Sequence, residues 1–151
     1  MGTNRKFATQ RQSIVDALVA KLKTINGTGD FLSNMNNNVS PRLKFWDEVD
    51  DFPSIHVNAG SETREYQTGG VKDRFLSITL RCYVNEEDAV DALAALLEDV
   101  EVVIEANSRL AYTDRTGTAR TTLQSTIVSI DTDEGVLDPL GVGEILLEVR
   151  Y

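Results

Sequence analysis

RFLSITLRCYVN-EEDAVDALAALLEDVEVVIEA, residues 74–106, switches from one periodicity to another at its hyphen, and that switch decides the fold. In the first half, Leu76, Ile78, Leu80, Cys82 and Val84 alternate with Ser77, Thr79 and Arg81, between Phe75 and Tyr83. A period of two is the mark of a strand with one buried face. In the second half, Val90, Leu93, Leu97, Val100 and Ile104 recur at helical spacing. Glu87, Asp91, Glu98 and Glu105 form an acidic stripe beside them. Asn85 stands where a side-chain oxygen would cap the helix start, and acids in the first turn oppose the helix dipole.

Upstream, ATQRQSIVDALVAKLKTI (8–25) is a second amphipathic helix. Phe7, Ile14, Leu18, Leu22 and Ile25 make its stripe, widened by Val15 and Val19. Thr9 and Gln12 have capping-box spacing, and Asn26-Gly27 supplies the stop. The Asn/Gly/Ser-rich stretch 26–43 reads as a loop with a short edge strand near Val39–Phe45. After Pro53, Ser54-Ile55-His56-Val57 alternates as a strand, with His56 expected to be half-exposed. The polar stretch 61–74, with Gly69-Gly70, reads as a long hairpin tip. A strand is expected near 122–131, after a turn around Gly117. In GEILLEVRY (143–151), Ile145, Leu147, Val149 and Tyr151 face one way and Glu144, Leu146, Glu148 and Arg150 the other.

An apolar sheet face needs a cover, and two amphipathic helices provide one. The expectation is an α+β two-layer sandwich in one domain, 1–151: a mixed or antiparallel sheet covered on one face by both helices, with a long hairpin tip. At 151 residues the chain is long enough for a real core. No apolar run is long enough to cross a bilayer, and MGTNRKFATQRQ has no apolar signal core. With a single cysteine, Cys82, a soluble protein made in a cytoplasm is expected. The net charge of −9 argues against wrapping of a nucleic-acid backbone. It is unevenly spread: residues 1–25 hold Arg5, Lys6, Arg11, Lys21 and Lys23 against Asp16, whereas 86–105 hold acids and no base. These runs are read either as solvated faces or as complementary docking surfaces.

Catalytic motifs are weak. DTDEGVLD (131–138) opens like a calcium loop, but glycine falls at the fifth position and Val142 at the twelfth, where a bidentate Glu is required. It reads as a turn. His56 has no nucleophile motif around it, Cys82 lies on the apolar strand face, and Gly69-Gly70-Val71-Lys72 lacks the spacing of a phosphate loop. The pairs Asp50-Asp51 and Glu98-Asp99 have no pocket assigned to them. Surface remains. Val136, Leu137, Leu140 and Val142 lie in a connection, either covering a sheet edge or meeting a partner. Arg64, Tyr66, Lys72 and Arg74 are contact candidates on the hairpin tip.

The strand motif F-P-x-I-x-V (52–57), the strand ending in Tyr83-Val84 before an acidic helix, and I-x-T-D-E-G-x-L-x-P-x-G (130–141) leading to a final V-x-Y together resemble tail terminator, or tail completion, proteins of long non-contractile-tailed phages. The resemblance covers about residues 50–151. It implies a homo-hexameric ring at the end of the tail tube that stops tube polymerisation and offers the head-joining face, with DNA passing through its lumen. The implied partners are the tail tube protein and head–tail connector or neck proteins, with no membrane. It implies no enzyme, metal or cofactor, and a place in the virion at the neck-proximal end of the tail after assembly in the host cytoplasm. On that reading Glu87, Asp91, Glu98 and Glu105 are candidates for repelling DNA in the lumen. The alternatives are a neck or head–tail connector of the same fold, a small hydrolase using His56, and a ligand-binding α+β domain.

Overall fold

The strand at the centre of the quoted stretch is also at the centre of the protein. The computed structural model describes residues 8–151, so Phe7, Lys6 and Arg5 lie outside the described residues. The elements are α1 (Gln10–Leu22), β1 (Val39–Ser40), β2 (Ser54–Tyr66), β3 (Lys72–Asn85), α2 (Ala89–Ala106), β4 (Ala111–Thr113), β5 (Ala119–Thr121), β6 (Gln124–Thr132) and β7 (Leu140–Arg150). Five strands form one sheet in the order β1-β2-β3-β7-β6, and β4 with β5 makes a separate small hairpin. All pairings in the large sheet are antiparallel except β1 with β2, so the sheet is mixed. Helix α1 packs over β1 and β2, and α2 over β3, β7 and β6. The fold is therefore the expected α+β sandwich, with both helices on one sheet face.

The period-two pattern survives into three dimensions. Leu76, Ile78, Leu80 and Cys82 are fully buried beneath the helices, as are Ile145, Leu147 and Val149 on β7. Cross-strand pairs such as Leu80↔Ile145 and Ile78↔Leu147 stack these rows into one core. From the helices, Ile14, Leu18, Leu22, Leu96, Val100 and Ile104 fill the space above. Gly141 and Gly143 let α2 sit low on β7: a Cβ at Gly141 would come within 2.7 Å of Val84 Cγ2 and 3.2 Å of the Ala89 carbonyl.

Several local expectations are corrected. Asn85 does not cap α2; it is the last residue of β3, paired with Leu140, and the helix starts at Ala89. Asp88 holds the N-cap position without a side-chain cap bond. Val90 is not in the buried stripe but 57% exposed, because the first turn buries Ala89 against the sheet and turns Val90 outward. The capping box on α1 is half formed: Thr9 Oγ accepts from the Gln12 amide at 3.2 Å, while the Gln12 side chain donates to Asp16 instead. Thr9→Ala is expected to cost about 1 kcal/mol, since it orphans that amide, and thermal melting of the two proteins checks it. The edge strand expected at 39–45 is only two residues long and gives way to a 3-10 turn at Trp46–Glu48. The stretch 61–74 is mostly ladder, paired out to Tyr66↔Lys72, with a turn at 67–71 in which Gly69 and Gly70 take positive φ.

Candidate assembly surfaces

The one-sided alternation expected at Ser54–Val57 is overturned: all four residues are buried. The segment 41–48 folds over the sheet face opposite the helices and covers Ser54 and His56, while Ile55 and Val57 belong to the core beneath the helices. His56 Nδ1 lies 3.1 Å from the Arg42 carbonyl and must donate to it, so Nε2 is the acceptor for the Ser54 hydroxyl at 3.2 Å. Tyr83 donates its hydroxyl to the Lys44 carbonyl. Two carbonyls of one loop are thus pinned by two side chains of the sheet.

A Ser–His pair in this sense is the donor–acceptor arrangement of an activated nucleophile. Here it is sealed: Ser54 is 1% and His56 3% exposed, against the expected half-exposed imidazole. Its role is to anchor the loop. Burial lowers the His56 pKa, and Lys44 and Arg81 lower it further against the raising effect of the Arg42 carbonyl. The unfolded chain therefore binds the extra proton first. Stability contributed by the neutral ring is complete above about pH 6.5 and is lost as pH falls toward the lowered folded value. Denaturant titrations between about pH 5 and 8 are expected to show this slope, and His56→Gln to flatten it. Cys82 is similarly inert, with burial pushing its thiol up to about 12.

Of the DTDEG carboxylates, that of Asp133 serves the turn itself. Asp133 accepts from the Leu137 amide at 3.1 Å and the Val142 amide at 3.3 Å, and Glu134 takes a positive φ. The apolar stretch beyond divides in two. Val136 is 82% exposed and Leu137 is partly exposed, while Leu140 and Val142 are half-buried within β7. On the hairpin, Arg64 stands opposite Arg74, and Tyr66 opposite Lys72. Arg74 is engaged internally: it donates to Gln10 at 3.0 Å and stacks on the Tyr151 ring at 4.4 Å. Arg64 donates to Glu62 at 2.8 Å, and Tyr66 and Lys72 are exposed.

Asp91, Glu98 and Glu105 are exposed along α2, and Glu87 in the turn before it. Asp99, from the same acidic run, is buried and accepts from the Leu32 and Ser33 amides at 3.1 and 2.7 Å. Sequence reasoning missed the exposed group Leu43, Phe45 and Trp46 on the covering loop. Its only signal was an aromatic pair between charges, in KFWDE (44–48). Sequence reasoning also missed the open edges of the sheet.

The fold thus presents a well-packed sandwich whose one Ser–His pair is closed off, with open strand edges and exposed apolar loops, which is the description of an assembly component. The chain belongs to the bacteriophage tail tube terminator proteins: the model of that family matches residues 8–151. It is 32% identical to the tail tube terminator protein of Escherichia phage T5 over 149 residues, covering 93% of this chain and 92% of the relative. Its fold is shared with a chain from the virion of a native gene transfer agent particle, at a TM-score of 0.56 and 9% identity, over 91% of this chain and 93% of the other. The family is one of structural components of the phage tail, as the sequence motifs implied.

Proposed function

We propose that six copies of this chain form a ring on the growing end of the tail tube, end its polymerisation and present the surface to which the head is joined. The match to the tail tube terminator family over essentially the whole chain carries this reading. The protein acts without catalysis, at the neck-proximal end of the tail, on tails assembled in the host cytoplasm. The exposed ends of the β2–β3 hairpin (Arg64, Tyr66, Lys72) and of the β6–β7 turn (Val136, Leu137) are the contacts offered to the tube or to neck proteins. Of the four candidate acids, Glu87, Asp91 and Glu98 face the lumen, where their charge repels passing DNA phosphates, whereas Glu105 lies in the groove beside β6.

Electron microscopy of particles assembled without the protein tests the reading. Overlong tails are expected. Tails of normal length that lack heads would instead assign the chain to the joining step alone.

A further inference from the structure

Among the described residues the sheet ends in two open edges of similar length. On one side β6 runs free along Gln124–Thr132, nine residues of which none is buried. On the other, β1 pairs only with Ile55 and His56 of β2, so residues 57–66 have no strand partner on that side among the described residues, and from 58 to 66 none is buried. A flat open edge exposes unpaired N–H and C=O groups and invites pairing with another chain. Each edge here also carries a bulge, at Ala59/Glu62 and at Ile127/Ser129, which twists the strand locally and interrupts the ladder there, so pairing would run on either side of it.

The grooves beside the two edges are opposite in charge, and the free half of β2 itself carries Glu62 and Glu65 with Arg64. Beside β6 a groove is lined by Glu101, Ile104 and Glu105 of α2 together with residues 124–127. The buried Ser125 hydroxyl, on that same stretch, has no hydrogen-bond partner among the described residues. Beside β2 a second groove is lined by Thr9, Arg11, Gln12, Asn58 and Ala59. Arg11 already reaches this edge, donating to the Gly60 carbonyl.

We infer that β6 of one copy pairs with the free half of β2 in the next, and that Arg11 of the second copy then faces Glu101 and Glu105 of the first. This rests on the ring proposed above. Strand polarity supports it. β2 and β7 run one way and β3 and β6 the other, so copies set the same way up bring β6 antiparallel to β2 of the neighbour, continuing the sheet's own alternation. Both helices lie on one face, with α1 near β2 and α2 near β6, so the helical layer continues across the joint as well. A twofold β6–β6 joint would set Glu101 and Glu105 against their own copies and leave β2 open. The head-to-tail joint uses both edges and is heterologous, as a closed ring requires.

Hydrogen exchange and charge exchange on the full-length chain test the joint. In rings formed alone or on tubes of tail tube protein, the amides of 58–66 and 124–132 are expected to be protected together relative to the dissociated chain. Arg11→Glu alone, and Glu101→Arg with Glu105→Arg, are each expected to weaken assembly about tenfold or more. The chain carrying all three changes, in which every joint has both charges exchanged, is expected to recover most of that loss. Circular dichroism melting confirms that each variant is folded before it is compared. A wild-type ring whose two edges exchange as fast as in the single chain overturns the joint and leaves the ring standing. So does failure of the triple variant to recover while the others are folded. A wild-type chain that stays single even on tubes overturns the ring, and the joint with it.

Discussion

Leu80→Ala is expected to lower the unfolding free energy by about 3–4 kcal/mol, within the range for buried Leu→Ala changes. Leu80 is fully buried on the middle strand of the sheet, opposite Val57 on β2 and Ile145 on β7. Neighbours on two flanking strands and the helices above hold their positions through their own contacts, so the void cannot collapse. The lost transfer energy and the lost dispersion then add. A domain's net stability is only about 5–15 kcal/mol, so the loss is a large fraction of the whole. The melting temperature should fall by about 2–4 °C per kcal/mol for a chain of this size. Val136→Ala, at an 82% exposed position, is the matched control and should change stability by less than about 0.5 kcal/mol. Similar shifts for the two variants would show that the sheet interior is not the source of stability. The consequence for assembly is indirect: Leu80→Ala should reduce the yield of rings while leaving the affinity of each folded copy unchanged.

Much of this core was legible before the fold was seen, for a definite reason. Leu76 to Val84 and Ile145 to Val149 each obey a period of two because one face of the sheet is covered by helices and the other is largely open. The failures occur where something else covers the second face or displaces an element end. Ser54 and His56 are buried by the upstream loop 41–48, and no local pattern announces that Arg42 and Lys44 will supply carbonyls to His56 and Tyr83. Asn85 looked like a cap because its chemistry is right, but the β3 ladder to Leu140 claims it first. Gly141 and Gly143 sit at inward positions of β7, and their meaning appears only once α2 is seen resting on them. The assembly surfaces were half legible. Exposed apolar turn residues and the acidic stripe are compositional signals, whereas an open edge is a property of strand order, which the sequence does not print.

The buried acid of α2 carries the second large effect. Asp99→Ala is expected to cost about 2–3 kcal/mol, because two amide donors lose a charged acceptor and one cavity is left behind. Asp99 is 3% exposed, and its two carboxylate oxygens accept separately from Leu32 and Ser33. These bonds tie the loop after α1 to the middle of α2, across 66 residues of sequence in the case of Ser33. Asp99→Asn is not a conservative test. Its side chain keeps one acceptor and gains an NH2 donor, so one of the two amides would face another donor, and most of the loss should remain. Asp99→Glu keeps both acceptors but adds a methylene in a packed site, so it should restore part of the bonding at a packing cost. The informative readout is local. Hydrogen exchange at the Leu32 and Ser33 amides should rise in the Ala and Asn variants well before that of the β3 amides, since the loop can detach while the sheet stays paired. If those two amides exchange at wild-type rates in Asp99→Ala, the carboxylate is not what holds the loop. If β3 opens in step with them, the loop and the sheet form one cooperative unit, and the loss would belong to global unfolding rather than to the tether.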